Sequence, residues 1–117
     1  MRSEINFIKP LGEPMAKFIV RVELHGERDY TRLHSAMERR GFSRDIKGTD
    51  GKLCLLPPGT YRFESNNLNR SQVLRRAKIA AAMTFKRAAI MVTEGLTAWS
   101  GLDEVTRGQR GPVAHRR

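Results

Sequence analysis

An α+β domain with the element order β-α-β-β-α-β is the fold this sequence predicts. Three observations carry it. Residues 17–25 alternate apolar and mixed side chains with a period of two, as a half-buried strand requires. Residues 29–40 repeat apolar side chains at three- and four-residue steps, as an amphipathic helix requires. Residues 69–94 then run from a basic helix directly into an apolar strand. The 117 residues suit one domain, and a hydrophobic content of 39% suffices for a single core.

Residues 1–15 have no clear period and contain Pro10, Gly12 and Pro14, so a mobile leader is expected there. Met15-Ala16-Lys17 looks like a second start, which fits a leader that is an extension of the domain. In the first strand, Phe18, Val20, Val22 and Leu24 form the apolar face, and Gly26 ends it. Asp29 is placed to cap the first helix, whose inner face is Tyr30, Leu33, Ala36 and Met37. Arg39 and Arg40 suit the negative end of its dipole, and Gly41 suits the position after its last turn.

Residues 42–47 alternate Phe42, Arg44 and Ile46 against Ser43, Asp45 and Lys47. The turn at Gly48-Thr49-Asp50-Gly51 returns the chain as residues 52–56, a hairpin partner. Pro57-Pro58-Gly59 ends that strand. Residues 60–65, with Tyr61 and Phe63 on one side, either continue it or form a short edge strand, where proline is tolerated. Asn69 caps the second helix, with Gln72 completing a capping box. Its inner stripe is Val73, Ala77, Ala80 or Ala81, and Thr84, and the alanines imply close approach to the sheet. A reversal within residues 85–87 leads to the last strand, residues 87–94, with Ala88, Ile90 and Val92 facing the core. Trp99 and Leu102 are candidate anchors. Residues 103–117 are nearly devoid of apolar side chains and are expected as a disordered basic tail.

With right-handed crossovers this order builds a ferredoxin-like split βαβ sandwich spanning residues 16–102. Two helices cover one face of a single antiparallel sheet. The opposite face stays open, and Ile19 and Met91 on it fit a homodimer.

The formal net charge of +10 directs attention to polyanions. No acid lies between Glu64 and Glu94, while Arg70, Arg75, Arg76, Lys78, Lys86 and Arg87 do. Those six are the candidate nucleic-acid ligands, each phosphate they neutralise adding a salt-dependent increment. Tyr61, Arg62 and Phe63 are candidates for base stacking, with core packing the leading expectation for the two aromatics.

The sequence argues less for a reaction. His25, His34 and His115 are scattered, Cys54 stands alone among leucines, and no CxxC, HExxH, glycine-rich phosphate loop or nucleophile elbow occurs. No metal and no cofactor is therefore expected. A single cysteine fits a cytoplasmic protein, and no apolar run approaches the ~20 residues that span a bilayer. RNA cleavage through the 2′-hydroxyl needs a base, an acid and a cation, but no metal. Glu23, His25 and Arg28 at the exit of the first strand are the candidate set. His25 serves as base or acid, Glu23 or Asp29 orients it, and Arg28 holds the phosphate. A divalent ion on Glu23 and Asp29 is the alternative.

The segments AKFIVRVELHG, DYTRLHSAMERRGFSR, NLNRSQVLRRAKIAA and AAIMVTEG together resemble the GhoS-type antitoxins of type V toxin–antitoxin systems, across roughly residues 16–102. The resemblance implies a ferredoxin-like fold similar to the small CRISPR-associated adaptation subunit and the VapD ribonucleases. It also implies a homodimer acting as an endoribonuclease on the messenger RNA of a membrane-active toxin. The related CRISPR subunit carries an aspartate at the end of its first strand. Here that stretch reads Val22-Glu23-Leu24-His25, so metal-assisted cleavage is not carried over. The leading expectation is an RNA-binding homodimer, in antitoxin or post-transcriptional regulation, with metal-independent endoribonuclease action as its possible chemistry. The alternative is a non-enzymatic phage or mobile-element protein that binds a host protein or nucleoprotein complex through the open sheet face. A membrane partner is not expected.

Overall fold

The computed structural model describes residues 15–105. Its framework is β1 (Ala16–Leu24), whose alternation sends Phe18, Val20, Val22 and Leu24 into the interior. β1 pairs antiparallel on one side with β4 (Thr60–Ser65), which sets Phe18 opposite Phe63 and Val20 opposite Tyr61. On its other side it pairs with β5 (Ala88–Glu94), which sets Val20 opposite Val92 and Val22 opposite Ile90. Inward residues thus meet inward residues across both ladders. A slip of one residue would turn the whole apolar set to solvent.

Two helices cover the apolar face. α1 (Thr31–Arg39) contributes Leu33, Ala36 and Met37, and α2 (Arg70–Ala82) contributes Val73, Ala77, Ala80 and Ala81, all buried. The α2 capping box forms as expected: Asn69 Oδ1 accepts from Gln72 N at 2.9 Å, and Asn69 N donates to Gln72 Oε1 at 2.8 Å. α1 closes with Gly41 N donating to Glu38 O and Phe42 N to Met37 O, both at 3.1 Å. This double closure needs the left-handed turn that Gly41 supplies at φ +92. It drops Phe42 into the core, where its ring lies 4.7 Å from that of Phe63. At its start α1 departs from expectation. The helix begins at Thr31 with Tyr30 in the capping position, and Asp29 instead accepts from Thr31 N at 3.0 Å and Thr31 Oγ1 at 2.7 Å.

The sheet also differs from the single one expected. β2 (Asp45–Lys47) and β3 (Leu53–Leu55) make a separate two-stranded sheet, and the main sheet is three-stranded in the order β4-β1-β5. The element order is accordingly β-α-β-β-β-α-β. Ser43 and Arg62 form one bridge between the two parts, exchanging bonds of 2.8 Å in each direction. The ladder stops there for a visible reason. The next acceptor, Asp45 O, is taken by Arg62 Nε at 2.7 Å, and the next donor, Thr60 N, is turned back onto Pro57 O at 2.9 Å. Pro57 and Pro58 have no N–H to extend β3 toward β4. The carbonyl of Gly59, a residue at φ +85, instead accepts from Val22 N at 2.7 Å. β4 is therefore a separate strand at the edge of the main sheet.

Residues 1–14 of the leader expected at 1–15, and residues 106–117 of the tail expected at 103–117, lie outside the described residues. Residues 103–105, assigned above to a disordered tail, pair with β3. Leu55 N donates to Asp103 O at 2.9 Å and Val105 N to Leu53 O at 2.7 Å. The sheet face opposite the helices carries Ile19, Arg21 and Glu23 of β1, Arg62 and Glu64 of β4, and Met91 of β5. It is not wholly open. The hairpin and the stretch through Leu96 and Trp99 wall one end of it, enclosing a cleft of about 620 Å³.

Candidate nucleic-acid interface

α2 sorts its residues by the helical period. Val73, Ala77, Ala80 and Ala81 are buried, and the following Thr84 is 6% exposed. Arg75, Arg76, Lys78 and the N-terminal Arg70 are exposed. Small alanines let the helix sit close to the sheet, so the long cations have nowhere to go but outward. Arg70, Arg75 and Lys78 form no ion pair with any described carboxylate. That is the physical consequence of a stretch without acids: the cations keep their field.

The other expected phosphate ligands are more constrained. Arg76 reaches back to α1, where Nη1 donates to Arg40 O at 3.3 Å, and its guanidinium lies 5.5 Å from the Phe63 ring centroid. It is thus partly a packing residue. Lys86 Nζ lies 3.5 Å from Glu27 Oε1, which tempers its charge. Arg87 is exposed, and its carbonyl accepts from His25 N at 2.8 Å. Tyr61 and Phe63 are buried, so base stacking on β4 is excluded and their role is in the core. One contribution was not read from the sequence. The end of α1 brings Arg40 to Arg76, whose Nη1 donates to the Arg40 carbonyl, so the two helices meet at a basic pair of residues. Nothing in the local sequence relates residue 40 to residue 76.

The candidate catalytic residues Glu23, His25 and Arg28 are all exposed, and no hydrogen bond or ion pair joins them to one another. Glu23 projects from the sheet face opposite the helices, in register with Ala89. A polar recess at that end of β1, of about 260 Å³, is lined by Glu27, Asp29, Arg32 and Lys86 instead. Two carboxylates face two cations there, which leaves no net charge to collect a phosphate. Asp29 is held below the usual carboxylate range, chiefly by the Thr31 hydroxyl that donates to it. It serves the start of α1. Among the described residues no three His, Cys, Asp or Glu side chains converge as a metal-binding set.

The largest shifts lie elsewhere, at His34 and Tyr61, which sit close to Tyr30 and the buried Arg44. Tyr30 Oη accepts from Leu24 N at 3.0 Å, and His34 Nδ1 lies 2.8 Å from Tyr61 Oη. Burial lowers the His34 pKa to about 4, and the Arg44 charge adds to the shift. Burial likewise pushes the Tyr61 hydroxyl well up. Both side chains are neutral at neutral pH, which suits a core polar contact.

No helix among the described residues is long and apolar enough to cross a membrane. Comparison of the chain with protein-family models, with curated proteins and with solved structures finds no match.

Proposed function

We propose that this protein binds RNA through the outer face of α2. The observation that carries the reading is the exposure of Arg70, Arg75 and Lys78 without a carboxylate partner among the described residues, beside Arg76, which reaches the end of α1 at Arg40. A field of one sign on the outer face of α2 attracts a phosphate backbone and is costly to leave uncompensated. In this reading the fold is a ferredoxin-like sandwich whose β2–β3 hairpin has peeled away from the main sheet, and the Ser43–Arg62 bridge marks the former edge. The protein forms a homodimer through the face bearing Ile19 and Met91, and acts as an antitoxin or post-transcriptional regulator of RNA. Binding carries the function, because Glu23, His25 and Arg28 are not assembled for proton transfer.

A salt titration tests it. Affinity for RNA should fall steeply as salt rises, and the Arg75→Glu/Lys78→Glu double variant should flatten that dependence. With two phosphate contacts removed, the log–log slope should drop by about 1.4 to 1.8. These two residues are preferred to Arg76, whose replacement would also disturb Phe63. Full affinity and an unchanged slope in the double variant would sink the proposal.

A second reading is favoured by the cleft of about 620 Å³ between Ile19, Leu53, Leu96 and Trp99. An apolar cleft with Lys17 and Lys47 on its rim suits a host protein or nucleoprotein complex bound without catalysis, as in a phage or mobile-element protein. Binding that survives the α2 double variant and is lost on Trp99→Ala would favour this reading.

A further inference from the structure

Phe85 breaks two local rules at once. It follows α2 with φ +61, a left-handed conformation that glycine adopts freely and bulky side chains do not. It is also 85% exposed. The turn does not need its ring. Thr84, buried beneath it, holds the reversal: its Oγ1 donates to Ala81 O at 2.7 Å and accepts from Lys86 N at 3.2 Å. A glycine at residue 85 would serve the fold better.

The surroundings give the ring a use. Ile79 on the outer face of α2 and Met83, which caps its end one turn later, are 52% and 45% exposed and lead toward Phe85. Arg75 and Lys78 flank that apolar ridge, and Arg87 follows two residues later. We propose that Phe85 is a stacking platform for an unpaired base, and that the RNA taken by the α2 face is single-stranded. Arg75, Lys78 and Arg87 hold its backbone while Ile79 and Met83 lie under sugars and bases.

This rests on the RNA-binding reading and names its substrate class. A duplex keeps its base faces stacked inside, beyond the reach of a side-chain ring, and would set Phe85 against phosphates. Single-stranded nucleic acid offers both an anionic backbone and apolar ring faces, the same interleaving that α2 presents. A second copy of this chain fits poorly, because it would oppose Arg75, Arg76 and Lys78 to their own counterparts.

The test compares a labelled RNA strand of mixed sequence with the same strand annealed to its complement. Wild type, Phe85→Gly and Phe85→Trp are titrated with each, and anionic phospholipid vesicles serve as a third probe. Phe85→Gly should bind the single strand about 5- to 150-fold more weakly, while its affinity for the duplex stays within about twofold. Its melting temperature should rise by about 5 °C as backbone strain is relieved, which separates loss of the ring from loss of the fold. Phe85→Trp should restore single-strand binding. Unchanged single-strand affinity in Phe85→Gly, or an equal loss for both RNA forms, overturns the proposal. So does binding to vesicles alone that disappears in Phe85→Gly. If Arg75→Glu/Lys78→Glu abolishes binding of both RNA forms while Phe85→Gly leaves both intact, the RNA-binding reading survives and the stacking inference falls. Wild type that binds neither form removes both.

Discussion

His34 Nδ1 and the Tyr61 hydroxyl, 27 residues apart in the chain, lie 2.8 Å from each other, with their rings meeting edge-on at a centroid distance of 5.9 Å. Tyr61 is fully buried in β4 and His34 half-buried on α1. The contact ties a helix to the sheet through a polar pair that must stay neutral. The pair therefore makes stability depend on pH.

The sign follows from the shift. His34 binds a proton near its ordinary value when unfolded and only at about 4 when folded. Between those values the unfolded chain holds more protons. Stability is thus fully present above about pH 6.5 and is lost as pH falls toward 4. Discounted for partial solvent screening, the loss is about 2 kcal/mol. Urea unfolding at neutral and acidic pH should show it, and His34→Gln should lose this part of the pH dependence. Identical pH profiles for the two proteins would refute the assignment.

Arg62 holds the hairpin sheet to the main sheet. Its Nε donates to Asp45 O at 2.7 Å, Nη2 lies 3.2 Å from Asp45 Oδ1, and Nη1 lies 3.2 Å from Glu64 Oε2. Asp45 is largely buried, so losing this partner is expensive. Arg62→Ala should cost about 2–3 kcal/mol in denaturant unfolding. Arg62→Lys should recover only part, because an ammonium cannot span both the carbonyl and the carboxylate. A loss below about 0.5 kcal/mol, the level of a surface pair, would show that this contact does not anchor the hairpin.

Gly59 and Gly51 both have φ +85, yet they predict different costs. A Cβ on Gly59 would lie 2.5 Å from Val22 O, whereas one on Gly51 meets nothing within 4 Å. Gly51→Ala should cost about 1 kcal/mol, from backbone conformation alone. Gly59→Ala should cost at least about 3 kcal/mol, because β1 must shift and the Val22–Gly59 bond is disturbed. Thermal melts of the two variants decide it. Equal shifts would mean that the chain relaxes freely around residue 59.

The proposed homodimer can be checked by sedimentation. Met91 is 67% exposed on the sheet face away from the helices, opposite Arg21 in register. Met91→Asp should turn dimer into monomer while leaving the melting temperature of the monomer within about 2 °C. Wild type that sediments as a monomer at every concentration would remove the dimer.

Cleavage is a separate question from binding. In chelator, wild type incubated with RNA is expected to leave it bound and intact. Fragments that disappear in His25→Ala but persist in Arg75→Glu would instead assign catalysis to the exit of β1.

Local chemistry made much of this fold legible in the sequence. The period of two in β1, the Asn69–Gln72 box, the Gly41 closure and the alanine stripe of α2 each depend on neighbours within a few residues, and each appears where the pattern indicates. The +10 charge and the acid-free stretch around α2 likewise needed no structure to read. Tertiary structure decided the rest, because it depends on which distant groups compete for one partner. Arg62 Nε taking Asp45 O, and Thr60 N turning to Pro57 O, end a ladder that alternation alone would have continued. Folding likewise separates Arg76, packed over Phe63, from Arg75 and Lys78, which pair with no carboxylate among the described residues. It leaves Glu23, His25 and Arg28 unjoined although they are close in sequence. Phe85 reads in the chain as one apolar residue in a reversal. Only the backbone's left-handed turn and the buried Thr84 beneath it leave that ring in solvent beside the basic helix.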